Sequence, residues 1–338
     1  MALVRVVIVN YNGGAYLRRC VDALRAQRFL DFEAVIADNG STDGSLDSLA
    51  PLDARFKILR LGANLGFAAA NNRAAEGAAA TWLATLNPDA FPDENWLAAL
   101  IEATRRHPDV AMFGSTQIDA NRPDRLDGSG DAYFAAGFPW RGNHGHPLSF
   151  LPPEGETFSP CAAAALYRTR DFVAAGGFDE RFFCYCEDVD LAFRIRLSGG
   201  RCIQVRDAVV QHAGSGLSGA RSAFTLYHSA RNRIWTMVKN VPGPLLMVMV
   251  PAHVLVTFFI SFTALWRGGL GAIWHGIWDG LLGLPTMIEE RRRIQGTRQV
   301  LVREIARALG WSPWRFRRRA HDVRPLPESS QGATSRRK

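Results

Sequence analysis

A chain of 338 residues, 47% hydrophobic and 21% charged, can bury a large core in one big domain or in one domain plus an appendage, and its composition excludes the disordered, collagen-like and low-complexity classes. The formal net charge of +8 is unevenly placed: residues 289–338 hold 14 Arg and Lys against 5 Asp and Glu, so the rest of the chain is nearly neutral and its end is basic. Five cysteines, odd in number and without paired zinc-ligand spacing, speak against a disulfide framework or a zinc module and predict reduced, mostly buried thiols. Met1-Ala2-Leu3-Val4-Arg5 runs straight into a short apolar stretch with a polar end and no cleavage site, which places the catalytic part in the cytosol.

The predicted elements begin with Arg5-Val6-Val7-Ile8-Val9-Asn10, a β-branched run of the kind that forms buried parallel strands, followed by a helix over Tyr16–Arg28. A second strand, Phe32–Ala37, ends in Asp38-Asn39-Gly40-Ser41-Thr42-Asp43 and is expected to lead into another helix. Phe56–Arg60 is the third strand, Asn64-Leu65-Gly66-Phe67 its loop, and an Ala-rich helix runs on to Ala79. The fourth strand, Trp82–Leu86, stops at Asn87-Pro88-Asp89. Asp93 is placed as the cap of a helix reaching Arg106, and Val110–Gly114 as a further strand. This alternation predicts an α/β sandwich on a mainly parallel sheet, with polar loops gathered at the carboxyl ends of the strands, where open α/β sheets bind ligands. None of the loops is a GxGxxG or a GxxxxGK[ST] element, so dinucleotide-binding and P-loop readings lose their main support. The stretch 119–153, rich in Gly, Pro and Asp, shows no period and reads as a mobile acceptor or donor loop, with His144 and His146 solvated.

Phe182-Phe183-Cys184-Tyr185-Cys186-Glu187-Asp188-Val189-Asp190-Leu191 then sets three carboxylates within four residues, directly after an aromatic run. Crowded carboxylates raise one another's proton affinity, which makes a base or a cation ligand; acids at a helix start also complement its dipole, and the pattern alone admits both readings. Asp190 is placed to pair with Arg194 one helical turn on.

These motifs, in this order, resemble family 2 glycosyltransferases of the GT-A fold, in particular the rhamnosyltransferase-like branch. The resemblance rests on Val7–Gly13, Asp38–Asp43, Asn64–Phe67 with Ala70-Asn71-Asn72, Asn87-Pro88-Asp89 in place of the family's DxD, Gly176–Leu191, and His212 with Ser215. Cys161 departs from it, because the family carries a Gly there. The resemblance implies a catalytic domain over residues 1–240, with Asp188 as the base and Glu187 beside it. A divalent cation (Mn2+ or Mg2+) would be held by Asp89 with Asn87 and His212. Asn10, Tyr11, Asp38, Asn39, Asn64 and Asn72 would contact the nucleotide part of the donor.

Residues 241–288 are apolar: 245–266 contain no Asp, Glu, Lys or Arg, and Trp274 and Trp278 follow. They read as a spanning helix pair, as a hairpin lying in the cytosolic leaflet, or as a helical cap on the soluble domain. The basic segment 289–338 next to them favours anionic lipid over nucleic acid, and 325–338 reads as disordered. The expected activity is inverting, metal-dependent transfer from dTDP-L-rhamnose, or from UDP-galactofuranose or a UDP-hexose, to a lipid-linked glycan at the cytoplasmic face of the plasma membrane. The rivals are a nucleotidyltransferase and a non-catalytic sugar-nucleotide-binding scaffold.

Overall fold

The computed structural model describes residues 2–214 and 222–326; Ser215 and, of the segment 325–338 expected to be disordered, residues 327–338 lie outside that range. Its N-terminal half is β1 (Val4–Asn10), α1 (Gly14–Arg25), β2 (Phe32–Asp38), β3 (Phe56–Arg60), α2 (Phe67–Ala75), β4 (Trp82–Leu86), β5 (Ala90–Pro92) and α3 (Trp96–Arg106). Strands β1 to β4 pair in parallel in the order β4-β1-β2-β3, with Asn10 opposite Asp38, so the polar loops emerge at one edge as expected. The alternation along β1 explains the two layers. Val4, Val6 and Ile8 join Leu17, Val21 and Leu24 of α1 on one face, and Val7 and Val9 join Ala68 and Ala70 of α2 on the other.

Two local expectations fail here. No helix follows the second loop: residues 44–49 form turns, because the Ser45 hydroxyl is drawn in to accept from Asn10 (2.9 Å) and Pro51 closes the segment. Helix α3 starts two residues late, with Asn95 as its N-cap, while the Asp93 carboxylate accepts the Asn95 N–H (3.1 Å) ahead of the helix.

The chain continues through β6 (Met112–Asp119), β7 (Leu126–Ser129), β8 (Asp131–Phe134), β9 (Phe138–Arg141), β10 (Gly155–Thr157), β11 (Ala164–Arg168), α4 (Thr169–Ala174), α5 (Glu187–Leu197) and β12 (Cys202–His212). Antiparallel β11 lies between β4 and β6 and carries the sheet on to β12. The stretch read as a structureless loop is therefore largely ordered. Strand β7 pairs with β6, β8 and β9 make a two-stranded ribbon, and Tyr133, Phe134 and Trp140 are buried. Nor are the two histidines merely solvated, since His144 Nδ1 lies 2.9 Å from the Asp127 carbonyl and His146 Nε2 2.8 Å from the Arg318 carbonyl.

Six helices complete the described chain: α6 (Ala223–Asn240), α7 (Gly243–Arg267), α8 (Leu270–Leu282), α9 (Leu284–Gly296), α10 (Val302–Ala308) and α11 (Pro313–Arg318). Helix α8 lies close on α6 because Gly276 has no side chain: a Cβ there would sit 2.3 Å from the Tyr227 carbonyl oxygen. The basic segment folds back onto the β8–β9 insert. Trp140 Nε1 donates to Ala320, Asn143 N–H to Arg319, and Arg324 pairs with Glu156 as a β-bridge. A shared core of Tyr133, Phe158, Phe193, Met237, Met249, Ile294, Ile305 and Leu309 ties the insert, α5, α6, α7, α9 and α10 together.

Candidate active site

At the carboxyl edge of the parallel strands, four of the six residues expected at the nucleotide form a linked wall. Asn10 Nδ2 donates to Asp38 (3.1 Å) and to Ser41 and Ser45 (both 2.9 Å), and Asn39 Nδ2 donates to Asn64 (2.9 Å). Tyr11 stands beside them with its ring 45% exposed, free to stack on a flat partner. Asn72 belongs elsewhere. Its amide donates to the Phe178 carbonyl (2.8 Å) and accepts the Phe178 N–H (2.9 Å), so α2 holds the loop that leads to the acidic cluster.

Asn87 and Asp89 follow β4, and Asp89 faces His212 at the end of β12. His212 Nε2 lies 3.3 Å from Asp89 Oδ1 without hydrogen-bond alignment, and Asn87 Oδ1 is buried with no partner among the described residues. His212 Nδ1 is fixed by Asp127 of β7 at 2.8 Å. Burial alone would lower the His212 pKa, but the Asp127 and Asp89 carboxylates outweigh it and raise it to about 9. Asp127 itself is held well below the usual carboxylate range: burial pushes it up, but Arg141, His144 and His212 more than compensate. A carboxylate, an amide oxygen and an imidazole nitrogen whose other nitrogen is fixed by a carboxylate suit a divalent cation that keeps waters and phosphate oxygens in its shell. The expected metal set thus fits its task. A second grouping, Asp131, Cys161 and Asp188, brings its ligand atoms within 4.8 Å of one another. It suits a hard cation poorly, because burial pushes the Cys161 thiol up to about 12 and Arg141 already supplies positive charge beside it.

The acidic cluster opens α5 under unusual backbone conditions. Phe183, Tyr185 and Cys186 all have positive φ (64°, 70° and 66°), conformations that cost non-glycine residues about 1–3 kcal/mol each and recur at functional sites. Asn232 of α6 holds them there, its Nδ2 donating to the carbonyls of Phe182 (2.9 Å), Cys184 and Tyr185 (both 2.8 Å). Gly66 makes room, since a Cβ on it would meet Phe183 at 2.6 Å. Cys186 N-caps α5 in the left-handed region with no side-chain bond, and the three acids occupy the first turn, where they complement the helix dipole as expected.

The carboxylates divide as follows. Asp190 is fully buried and accepts from Arg194 (2.8 and 3.0 Å), Lys239 (2.9 Å) and Asn240 (2.7 Å), the structural pairing expected of it. Glu187 is buried with Oε2 unpartnered; burial, then the neighbouring Asp188 charge, raises its pKa well above the ordinary value. Asp188 is only partly buried and accepts from the N–H groups of Ala162 (3.1 Å) and Val189 (2.8 Å). Burial raises its pKa too, against the pull of those two N–H groups and of Arg141. Ala163 next door accepts the Asn87 N–H (2.9 Å), so two consecutive residues join the candidate metal loop to the candidate base. Cys161 precedes them at a negative φ, which is why a side chain is tolerated where the family carries a Gly.

The insert contributes residues that the motifs do not contain. Asp127 positions His212, Arg141 binds Asp127, and Asp131 lies buried near both, its pKa pushed up to about 8 by burial and by Asp188 and Asp127, against Arg141. The period-two spacing of Asp127, Ser129 and Asp131 is the one sequence sign that these face one way.

Residues 5–172 match Glycosyl transferase family 2. The chain belongs to that family and is a glycosyltransferase. It is 29% identical over 230 residues to the N-acetylglucosaminyl-diphospho-decaprenol L-rhamnosyltransferase of Mycobacterium tuberculosis, covering 61% of this chain and 75% of that one. It is 31% identical over 203 residues to the O-antigen biosynthesis protein RfbC of Myxococcus xanthus, covering 55% of this chain and 15% of that one. Among solved structures, the fold resembles the mannosyltransferase PcManGT from Pyrobaculum calidifontis in complex with GDP-Man and Mn2+ (TM-score 0.53, 17% identity, 87% of this chain and 85% of that one). It also resembles Staphylococcus aureus TarS 1–349 in complex with UDP-GlcNAc (TM-score 0.55, 16% identity, 88% and 91%). The GT-A architecture expected from the motifs is thus the one observed.

Proposed function

We propose that this glycosyltransferase catalyses inverting transfer of a hexose, L-rhamnose from dTDP-L-rhamnose first among donors, to a hydroxyl of a lipid-linked cell-envelope glycan. The observation that carries this reading is the two-residue link Ala162-Ala163. It sets a partly open carboxylate with raised proton affinity, Asp188, beside the Asn87, Asp89 and His212 set. In a single displacement the acceptor oxygen bonds to the anomeric carbon, its proton passes to Asp188, and the bond from that carbon to the diphosphate oxygen breaks. Asn87, Asp89 and His212 would hold the divalent cation, which neutralises charge on the departing diphosphate. Asp38 and Asn39 offer the ring of a thymine or uracil its hydrogen-bond partners, and Tyr11 a face to stack on.

The acceptor class draws on the lipid-linked substrate in the name of the mycobacterial relative and on the outer face of α7. That helix has 25 residues with a mean hydropathy of 2.2 in its most apolar window, long and apolar enough to cross a bilayer. Met249, His253, Ser261 and Ala264 are buried against the protein, while Met247, Leu255, Phe258, Phe259, Phe262 and Trp266 are exposed. Contact along one side with the protein, and the packing of α8 on α6, favour a helix lying in the cytosolic leaflet over a spanning pair. Exposed Trp314 with Arg317 and Arg318 stacked near its ring gives α11 the makings of an anionic-membrane contact.

A donor panel with and without manganese, on purified protein in detergent, tests the reading. The expected result is nucleotide release from dTDP-L-rhamnose that needs the cation and a lipid-linked acceptor. Asp188→Asn should fold, bind donor and turn over about 100- to 10,000-fold more slowly. A near wild-type rate in that variant would sink the assignment, and no release from any donor would favour a scaffold.

A further inference from the structure

Four Arg and Lys side chains are buried among the described residues: Arg194, Arg196, Lys239 and Arg233. Three have counter-charges. Arg194 binds Asp190, Arg196 binds Glu156, and Lys239 binds Asp179 and Asp190. Arg233 has none: its Nε and Nη2 are enclosed and meet no acceptor, although the side chain keeps only 8% of its surface. A guanidinium taken out of water without a counter-charge or acceptor costs several kcal/mol, so a protein that keeps one there does so for an anion that arrives later.

Its position says which anion. Arg233 follows Asn232, which grips the backbone ahead of the acidic cluster, and it lies close enough to Cys186, the residue that caps α5 just before Glu187 and Asp188, for their charges to interact. On the other side the guanidinium lies over the Phe138 ring (4.7 Å), and that ring stacks on His253 of α7 (4.8 Å). His253 Nδ1 bonds the Ala136 carbonyl (2.9 Å), and its Nε2 is buried and unpartnered as well. Among the acids of the cluster, Asp190 is taken by Arg194, Lys239 and Asn240 and Asp188 by two backbone N–H groups, and Glu187, although its Oε2 is unpartnered, makes no bond to Arg233. Arg233 therefore lies between Cys186, two residues ahead of Asp188, and the Phe138–His253 pair on the side of the apolar helix. A lipid-linked sugar whose hydroxyl reaches Asp188 and whose lipid lies along α7 must place its phosphate ester between the two.

We propose that Arg233 is an anion-binding residue for the phosphate ester that joins the acceptor sugar to its lipid, distinct from the donor-diphosphate set at Asp89 and His212. This rests on the lipid-linked acceptor of the proposed function, and the test separates the two. Binding of a short prenyl diphosphate, citronellyl diphosphate, to wild type and Arg233→Met is measured by calorimetry in neutral detergent, with citronellol and phosphatidylglycerol micelles as parallel arms. The expected result is binding of the diphosphate but not of citronellol, weakened about 10- to 100-fold in Arg233→Met and less in Arg233→Lys, as befits charge-assisted hydrogen bonds. Excess dTDP with manganese should leave it bound. Equal binding by both proteins, binding of phosphatidylglycerol alone, or displacement by dTDP each overturns the proposal. Thermal unfolding guards against a folding artefact: removing an unpaired buried charge should leave the midpoint at or above wild type, and a large drop would make Arg233 structural and overturn the proposal. In a transfer assay the preference for a phosphate-bearing over a neutral glycoside acceptor should fall at least tenfold in Arg233→Met. If no donor supports transfer at all, the functional reading fails while the binding arm still decides the role of Arg233.

Discussion

Replacing Asn232 by Ala tests whether the strained entry to α5 is held from α6. The substitution removes the Nδ2 that donates to the carbonyls of Phe182, Cys184 and Tyr185. Phe182 keeps a second donor in Arg231 (3.0 Å), so two carbonyls lose the bond that α6 gives them. Each buried carbonyl left without its partner costs about 1–3 kcal/mol, so the two together set a loss of about 2–6 kcal/mol in chemical denaturation, reduced by whatever strain the three positive-φ residues shed as they relax. Relaxation of 183–186 moves Glu187 and Asp188 more than the Asp38 and Asn39 wall. Turnover should therefore fall more than tenfold while the donor KM changes by less than threefold. Asn232→Asp, which sets a carboxylate against the same carbonyls, should lose more stability than Asn232→Ala. An Ala variant with wild-type stability and turnover would refute the idea that α6 sets the geometry of the acidic cluster.

Other outcomes follow from the insert and the apolar face. Asp127→Asn, which loosens His212, should weaken manganese binding about 10- to 100-fold, read by electron paramagnetic resonance of the free ion; unchanged affinity would place the metal elsewhere. Asp131 has its folded pKa raised to about 8, so the folded state holds a proton that the unfolded chain gives up near 3.9. Wild type should accordingly lose stability relative to Asp131→Asn as pH rises from about 4 to 8, and melting curves at those two pH values that show a constant difference would exclude it. Asp188 is likewise raised by burial, and a base must be unprotonated to act. The acid limb of kcat/KM should therefore lie at higher pH than an ordinary carboxylate gives, and a limb near 3.9 would exclude it as the titrating group. Exchanging the exposed Phe258 and Phe262 for Glu should abolish flotation with anionic liposomes, while loss of flotation only on removing Arg317 and Arg318 would assign the contact to α11 alone.

The parallel strands were legible because β1, β2 and β4 are short, mainly apolar runs buried on both faces, with β3 taking its place from the alternation, and the wall of Asn10, Asp38, Asn39 and Asn64 because each loop ends one of these strands. Asp190 with Arg194 was legible because its contact is local, four residues along one helix. Strands β7 to β9 were not, for the opposite reason: four residues each, broken by glycines, they are held by distant partners such as β6 and the returning segment near Arg319. Asp127, Asp131 and Arg141 were lost with them. Asn232 was missed because nothing in its surroundings on α6 announces that its amide faces three carbonyls some fifty residues away. Asn72 shows the reverse: its motif suggested the donor, and its bonds go to the backbone of Phe178.

The return of the chain end to the insert has a mechanical consequence. Helix α7 is tied to the insert through His253 and Ala136, and beyond α9 the chain comes back to the same insert at Trp140, Asn143 and Glu156. The insert also carries Asp127, which orients His212, so the apolar helix and the candidate reaction centre are mounted on one insert. Such an enzyme works at a fixed height above whatever surface α7 rests on. With the lipid-linked acceptor proposed above, it would reach a hydroxyl close to the lipid and leave a longer glycan out of range, which would make it the source of a single early residue rather than of a repeat.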